Sequence, residues 1–200
     1  MNLPNKLTLI RIFLTVVIII LCLFPFYSLG IILPKINING VIVELVYFIS
    51  GFIFIIASIT DFFDGKIARK NNLVTDTGKM LDSIADKVLV NSVLIIFAYR
   101  GFIPAFVPVI YIFRDEIVNA IKMDILKNGY VVAAIKSGKI KTAAMMIGLS
   151  LMFFYNLPFE LFNIKVADFL IYFATIMSVV SAIEYYNLWR SVRKNKNQVA

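Results

Sequence analysis

Long apolar runs separated by short polar connections dominate the amino-acid sequence. A transmembrane helix needs roughly 20 mainly apolar residues to cross about 30 Å of hydrocarbon, and six segments meet that need. The connections hold turn-forming residues such as Pro34, Gly40, Gly101 and Pro158, which favour short loops. With no internal repeat, residues 1–200 are predicted to form one all-α, polytopic membrane domain. The six predicted transmembrane helices are residues 12–32, 42–60, 80–98, 102–125, 142–156 and 166–186.

The basic residues predict how these spans are oriented. Lys35, Arg100 and Lys165 lie in the odd-numbered connections, whereas the other lysines and arginines lie at the termini, in the even-numbered connections or at adjoining helix ends. The positive-inside rule therefore predicts that both termini face the cytoplasm. Residues 4–11 mix polar and apolar positions, and two interpretations remain open for them. They form either a short N-terminal amphipathic segment along the membrane interface or a charged cap on the first span.

Composition restricts the chemistry that the chain can perform. It is 60% hydrophobic and 16% charged, with a mean hydropathy of +0.88, values that exclude an ordinary water-soluble domain. The net charge of +8 flanks apolar spans, so it indicates cytoplasmic loops facing the membrane and no nucleic-acid partner. Histidine is absent and Cys22 is the single cysteine, which excludes disulfides and imidazole or paired-thiolate metal sites. Acid–base catalysis must therefore use carboxylates, lysines or tyrosines.

Four aspartates form two spaced pairs near one end of the second and third spans. Asp61 and Asp64 are three residues apart, and Asp82 and Asp86 are four apart, so each pair shares one face of its helix. The short connection predicts antiparallel neighbours, which brings the four carboxylates together at the cytoplasmic side. They would repel one another unless cations neutralised them. An oxygen-only ligand set favours a hard divalent cation, so we expect Mg²⁺ or Mn²⁺.

Small and basic positions accompany these aspartates. Gly65 and Ala68 keep the helix face beside Asp64 narrow enough for a ligand to approach the backbone. Arg69 offers a forked donor that suits phosphate oxygens, and Gly78 is expected to start the third helix or let it pack closely. Taken singly, each of these residues also fits a turn, a helix cap or a contact with lipid phosphate. Together they predict a metal site beside a nucleotide diphosphate.

The spacing Asp-x2-Asp-Gly-x2-Ala-Arg-x8-Gly-x3-Asp-x3-Asp, which residues 61–86 match at every fixed position, resembles the signature of the CDP-alcohol phosphotransferase family. The similarity extends to residues 2–11, 82–87 and 138–142. It implies an enzyme of phospholipid biosynthesis in a bacterial cell membrane that transfers the phosphatidyl group of CDP-diacylglycerol to an alcohol. The similarity is greatest to bacterial members whose acceptor is glycerol 3-phosphate. Serine, an inositol phosphate and phosphatidylglycerol remain alternative acceptors.

The resemblance also assigns roles. It implies that the four aspartates share two divalent ions that hold the substrate pyrophosphate, with the cytidine beside Gly65, Ala68 and the N-terminal candidates Asn5 and Thr8. From the residues themselves, Asp86 is the carboxylate placed to take the proton from the attacking hydroxyl. A covalent aspartyl intermediate is the alternative route, although a carboxylate committed to a metal is a poor nucleophile.

Charged residues deep in the fourth span predict the acceptor pocket. Arg114 lies well inside the span with Asp115 and Glu116 beside it, so it should line a water-filled cavity. Lys139 and Lys141 open the fifth helix from the cytoplasmic side. Three cations near a metal site suit a small phosphorylated acceptor such as glycerol 3-phosphate. The alternative is a structural Arg114–Asp115 pair together with ordinary cytoplasmic lysines.

Gly51 and Gly148 are expected to permit close helix approach, and the family resemblance favours a homodimer formed through the spans.

A different class of function also remains open, since charged residues within six spans would suit an ion or metal transporter. The glycine–arginine pattern beside clustered carboxylates, and the absence of an inverted repeat, favour the enzyme.

Overall fold

In the part of the chain that the structure describes, six helices follow the six apolar runs of the sequence. The computed structural model describes the backbone of residues 3–70, 76–130 and 135–199, and the side chains of these ranges except residues 3, 61–70, 76–77, 79 and 195–199. The helices are α1 (Leu3–Leu23), α2 (Leu45–Lys70), α3 (Asp76–Tyr99), α4 (Phe106–Lys127), α5 (Lys136–Phe153) and α6 (Val166–Val199). A two-stranded hairpin and two short 3₁₀ turns, Tyr27–Leu29 and Phe159–Phe162, lie in the connections. The predicted helical architecture is therefore confirmed, with one small sheet added.

Several helix ends differ from the predicted spans. α1 ends at Leu23 and does not continue to residue 32, because Pro25 lacks the N–H that the next turn needs. α4 begins at Phe106, after Pro104, and not at residue 102. α3 begins at Asp76 and α5 at Lys136, before the predicted residues 80 and 142. α5 ends at Phe153 and not at residue 156, whereas α6 continues past residue 186 to Val199. The polar tail of α6 contains no proline or glycine, so nothing in its sequence ends the helix where the apolar run stops.

A β-hairpin occupies the connection between α1 and α2. Strand β1 (Lys35–Ile38) pairs antiparallel with strand β2 (Val41–Glu44). The turn residues Asn39 and Gly40 both have positive φ, 49° and 94°, as a two-residue hairpin turn requires. The prediction that residues 42–44 begin a helix is therefore wrong. The Asn-Gly turn and its flanking β-branched residues favour strand pairing there.

Residues 4–11 form the first turns of α1 and no separate helix. Pro4 lies at the helix start, where proline is tolerated, and no helix-breaking residue follows before the apolar run. Pro4, Thr8, Arg11 and Thr15 are buried at a spacing that places them on one face of the helix. Of the two interpretations of this segment, the charged cap on the first span agrees with the structure, because α1 runs without a break from Leu3 to Leu23.

The helices pack in two groups of three. α1 lies along α2 and α3, and α6 lies along α4 and α5, while contacts of α2 with α5 and of α3 with α4 join the groups. Phe54, Phe97 and Phe153 fill the region where α2, α3 and α5 meet, with ring centroids 4.7 Å apart for Phe97 and Phe153. This arrangement brings α3, α4 and α5 side by side, and these are the helices that carry most of the charged candidates.

Among the glycines whose surroundings the structure describes, Gly51 and Gly148 lie where two helices approach closely. A Cβ atom at Gly148 would lie 2.9 Å from Ile171 Cγ1 of α6, and one at Gly51 would lie 2.8 Å from Phe153 Cβ of α5. Side chains larger than hydrogen would therefore force the helices apart. The expected close approach is confirmed, and it joins helices of the same chain.

The outer surface is rich in exposed apolar side chains, among them Phe13, Phe113, Phe169 and Ile176, each more than 60% exposed. By length and composition, two of the described helices could cross a membrane, at Pro4–Leu23 and Val166–Lys194, and a shorter apolar helix lies at Leu45–Thr60. Of the three remaining helices, α3 and α5 carry charged residues in their N-terminal parts, and α4 carries them along its middle. Crossing by all six helices stays a prediction.

Candidate active site

A buried polar stripe on α1 faces the third helix. Thr8 and Thr15 donate their hydroxyl hydrogens to backbone carbonyl oxygens of α1 itself, those of Pro4 and Arg11, at 3.1 and 2.8 Å. Arg11, between them, has a fully buried side chain, and its guanidinium leaves α1 to reach α3. Burying a guanidinium away from water costs free energy unless anionic groups pair with it. The partners of Arg11 therefore mark a concentration of negative charge beside α1.

Among the described side chains, Arg11 pairs with Asp82 and Asp86 of α3. Arg11 Nη1 lies 3.1 Å from Asp82 Oδ1 and 2.8 Å from Asp86 Oδ1, so one nitrogen bridges both carboxylates. The two side chains are 41% and 38% exposed, which leaves each accessible from the opposite side. The expectation that these residues share one helix face agrees with this geometry.

This geometry fits a cation site. Two carboxylates from successive turns of α3 point at one positive group and supply oxygen atoms only. Such donors suit Mg²⁺ or Mn²⁺ better than softer metals. Asp61, Asp64, Gly65, Ala68 and Arg69 belong to the last turns of α2, and their side chains lie outside the described residues.

The other predicted nucleotide contacts lie near the start of their helices. Asn5 is half-buried and Thr8 is buried, both in the first turns of α1. Gly78 lies in the first turn of α3, as predicted for a glycine that starts this helix. α1 packs against both α2 and α3, so the N-terminal residues belong to the same helix group as the aspartates.

A cavity of about 550 Å³ opens between α3, α4, α5 and α6. Asp86, Arg114, Lys139 and Lys141 line it, so the predicted general base and the three predicted acceptor-binding cations share one space. Asp86 therefore contacts Arg11 on one side and the cavity on the other. The described lining holds five basic residues and two acidic ones, an excess of positive charge that favours an anionic occupant.

Arg114 and Lys141 are held by a shared carboxylate. Asp115 Oδ1 accepts hydrogen bonds from Arg114 Nη1 and from Lys141 Nζ, both at 2.7 Å. Arg114 Nε also donates to the carbonyl oxygen of Ser178 at 2.8 Å, and Nη2 donates to the Ser181 hydroxyl of α6. The Arg114–Asp115 structural pair considered from the sequence is therefore present, and it lies in the wall of the predicted pocket.

Lys141 and Lys122 each pack against an aromatic ring in this wall. Lys141 Nζ lies 4.1 Å from the Tyr111 ring centroid, and Lys122 Nζ lies 4.7 Å from that of Tyr185. These cation–π contacts hold the two ammonium groups at the cavity. Lys139 is exposed, and no ion pair joins it to another described side chain.

Sequence reasoning did not identify Arg11, Lys122, Tyr185 or Asn91 as site residues. Asn91 lines the cavity five positions beyond Asp86, and its buried side-chain oxygen has no hydrogen-bond partner among the described residues. The available signal for Arg11 was an arginine at helical spacing from Thr8. Lys122 and Tyr185 come from α4 and α6, whose packing the sequence pattern does not specify.

The amino-acid sequence is similar to that of a known protein family and of several bacterial relatives. Residues 1–183 match the model of the family described as CDP-alcohol phosphatidyltransferase. The chain is 39% identical to the CDP-diacylglycerol–glycerol-3-phosphate 3-phosphatidyltransferase of Bacillus subtilis, covering 96% of this chain and 97% of the relative. It is 32% identical to the protein of that name from Rickettsia typhi, over 92% and 95% of the two chains. A Mycoplasma genitalium protein of the same name is 34% identical over 74% of this chain and 63% of its own length.

Replacing Asp115 with alanine should destabilise the fold more than the same change at its exposed neighbour. Asp115→Ala leaves Arg114 and Lys141 buried without their shared carboxylate, so the free energy of unfolding should fall by about 3–5 kcal/mol. Glu116 is 67% exposed, and Glu116→Ala should change it by less than about 0.5 kcal/mol. Denaturant unfolding of both variants in detergent micelles measures the difference. Equal effects would contradict the role given to Asp115.

Proposed function

The chain belongs to the CDP-alcohol phosphatidyltransferase family, and on that premise we propose that it transfers the phosphatidyl group of CDP-diacylglycerol to glycerol 3-phosphate, giving phosphatidylglycerophosphate and CMP. The observation that carries the proposal is the position of Asp86. This carboxylate belongs to the pair that converges on a cation and also lines a cavity rich in positive charge. One residue thus joins a site suited to a diphosphate and a site suited to a phosphorylated acceptor.

On the donor side, Asp61, Asp64, Asp82 and Asp86 would hold two divalent ions, Mg²⁺ or Mn²⁺. When bound, such ions neutralise a pyrophosphate and the negative charge that develops on the leaving CMP. Arg69 would add hydrogen bonds to phosphate oxygens. The nucleotide would lie against the small positions Gly65, Ala68 and Gly78, with Asn5 and Thr8 beside it.

Asp86 would act as the general base. Its carboxylate takes the proton of the acceptor hydroxyl while the new oxygen–phosphorus bond forms and the bond from phosphorus to the CMP oxygen breaks. The partners of Asp86 position it for this role, because Arg11 fixes one oxygen at 2.8 Å. Direct transfer is favoured over an aspartyl intermediate, since a carboxylate that already binds cations is a poor nucleophile.

On the acceptor side, the positive cavity wall would bind the phosphate of glycerol 3-phosphate. Lys139, Lys141 and Arg114 are the proposed contacts, and Lys122 adds a fourth cation in the same cavity. Asp115 holds Arg114 and Lys141 in place while leaving the wall with excess positive charge. The unpartnered oxygen of Asn91 offers an acceptor for a glycerol hydroxyl. An acceptor without a phosphate, such as zwitterionic serine, would gain less from these cations.

A lipid substrate also requires a membrane setting. The exposed apolar surface and the long apolar helices α1 and α6 support an integral membrane protein. The distribution of basic residues supports six spans, with both termini and the active site on the cytoplasmic side of a bacterial cell membrane. A homodimer through the spans completes the proposal.

The reaction can be tested with purified protein in detergent, CDP-diacylglycerol, Mg²⁺ or Mn²⁺, and a panel of acceptors. We expect CMP release with glycerol 3-phosphate and a phosphorylated lipid product, little turnover with serine, an inositol phosphate or phosphatidylglycerol, and none after chelation of the metal. Asp86→Asn should lower kcat by about 10²–10⁴-fold, whereas the exposed-carboxylate control Glu116→Gln should retain activity. Preference for another acceptor, or near-normal activity of Asp86→Asn, would contradict the proposal.

Lys139 tests the acceptor pocket separately from the chemistry. Lys139→Ala removes an exposed cation from the cavity, so the KM for glycerol 3-phosphate should rise by about 10-fold or more while the KM for CDP-diacylglycerol stays constant. Lys136→Ala is the matched control, because Lys136 is an exposed lysine one turn earlier on α5 that does not line the cavity. Steady-state kinetics with each substrate varied in turn measures both constants. An unchanged acceptor KM would exclude Lys139 from the pocket.

A further inference from the structure

We propose that Arg11 is a built-in counter-ion that competes with divalent cations for the carboxylate pair of α3. This inference rests on the proposed function, because it concerns the aspartates to which metal binding is assigned there. It adds a role for a residue of α1 that lies outside the aspartate signature. Arg11 is a positioning residue in this proposal, since it acts through Asp82 and Asp86 and not on the substrate.

The Arg11 side chain is fully buried and paired with residues far away in the sequence. It is 0% exposed, and Arg11 precedes Asp82 by 71 positions. The neighbouring threonines on its stripe bond to the backbone of α1, so Arg11 is the one charged group that this stripe presents to α3 among the described side chains. A charge buried to this extent is retained at a high desolvation cost, which its two carboxylate partners offset.

One guanidinium nitrogen of Arg11 lies close to both carboxylates. Nη1 is 3.1 Å from Asp82 Oδ1 and 2.8 Å from Asp86 Oδ1, so it is within hydrogen-bond distance of both oxygens. A Mg²⁺ ion held by the same oxygens at about 2.0–2.1 Å would lie no more than about 5 Å from this nitrogen. The two cations would repel each other at that separation. Arg11 and a divalent ion therefore compete for the negative charge of the same two oxygen atoms.

Arg11 lowers the net negative charge around the two carboxylates of Asp82 and Asp86. Two carboxylates and one guanidinium carry a net charge of −1, whereas two carboxylates alone carry −2 and attract a divalent ion more strongly. Arg11 therefore holds the side chains of α3 in converging positions and at the same time weakens metal binding. By linkage, removing this competitor should tighten metal binding. A residue that only supported the metal site would have the opposite effect when removed.

The test is a titration of full-length, detergent-purified protein with Mn²⁺ alone, with free Mn²⁺ measured by electron paramagnetic resonance. Arg11→Gln should bind Mn²⁺ at least fivefold more tightly than the natural chain. Arg100→Gln is the matched control, because Arg100 donates to the carbonyl oxygen of Cys22 near the opposite end of α1. It should stay within twofold of the natural chain. Unchanged or weaker binding by Arg11→Gln would overturn the proposal.

Two further variants keep the outcome decisive. If Arg11→Gln does not fold, Arg11→Lys keeps the positive charge on a shorter group that bridges both oxygens less well. Arg11→Lys should therefore tighten Mn²⁺ binding two- to threefold. Unchanged or weaker Mn²⁺ binding would contradict competition between Arg11 and the metal. Asp82→Asn should weaken Mn²⁺ binding at least tenfold. If it does not, or if the natural chain binds no Mn²⁺, the proposed metal site itself is wrong. If only the Arg11 variants fail, the metal site stands and the competition is excluded.

Discussion

Charge inside an apolar helical protein must be neutralised by other groups of the protein, and this requirement organises the structure described here. Two clusters satisfy it. Arg11 of α1 pairs with Asp82 and Asp86 of α3, and Asp115 of α4 pairs with Arg114 of its own helix and Lys141 of α5. In each cluster the charges are unequal, with an excess negative charge at α3 and an excess positive charge at Asp115. The first cluster therefore suits cations, and the second suits an anion.

The fold matters because it places these two clusters next to each other. α3 packs against α1 on one side and against α4 and α5 on the other. Asp86 therefore belongs to the first cluster and also lines the cavity that contains the second. Phosphatidyl transfer needs that proximity, since the acceptor hydroxyl must reach the phosphorus while its own phosphate is held elsewhere. Tight contacts at Gly51 and Gly148 bring α5 close to α2 and to α6.

Much of this could be predicted from the sequence, and the misses have physical causes. Apolar runs located every helix, and the aspartate spacing indicated the donor site, because both signals are local. Lys139 and Lys141, which line the cavity, were singled out because charge is rare near apolar segments, and their role with the acceptor stays a prediction. The hairpin was missed although Asn39-Gly40 is a strong turn signal, since apolar residues on β2 also suited a span. Arg11, Lys122 and Tyr185 were missed because their roles depend on which helices pack together, and periodicity does not specify that.

In the proposed mechanism, Asp61 and Asp64 of α2 and Asp82 and Asp86 of α3 hold divalent cations beside the cavity. Crystals of the protein grown with Mn²⁺ and a cytidine diphosphate ligand test it most directly, because anomalous scattering locates Mn²⁺ independently of any model of the protein. Anomalous peaks are expected within about 2.5 Å of carboxylate oxygens of Asp61, Asp64, Asp82 and Asp86. Peaks confined to other residues, with these side chains pointing away from one another, would contradict the proposed mechanism.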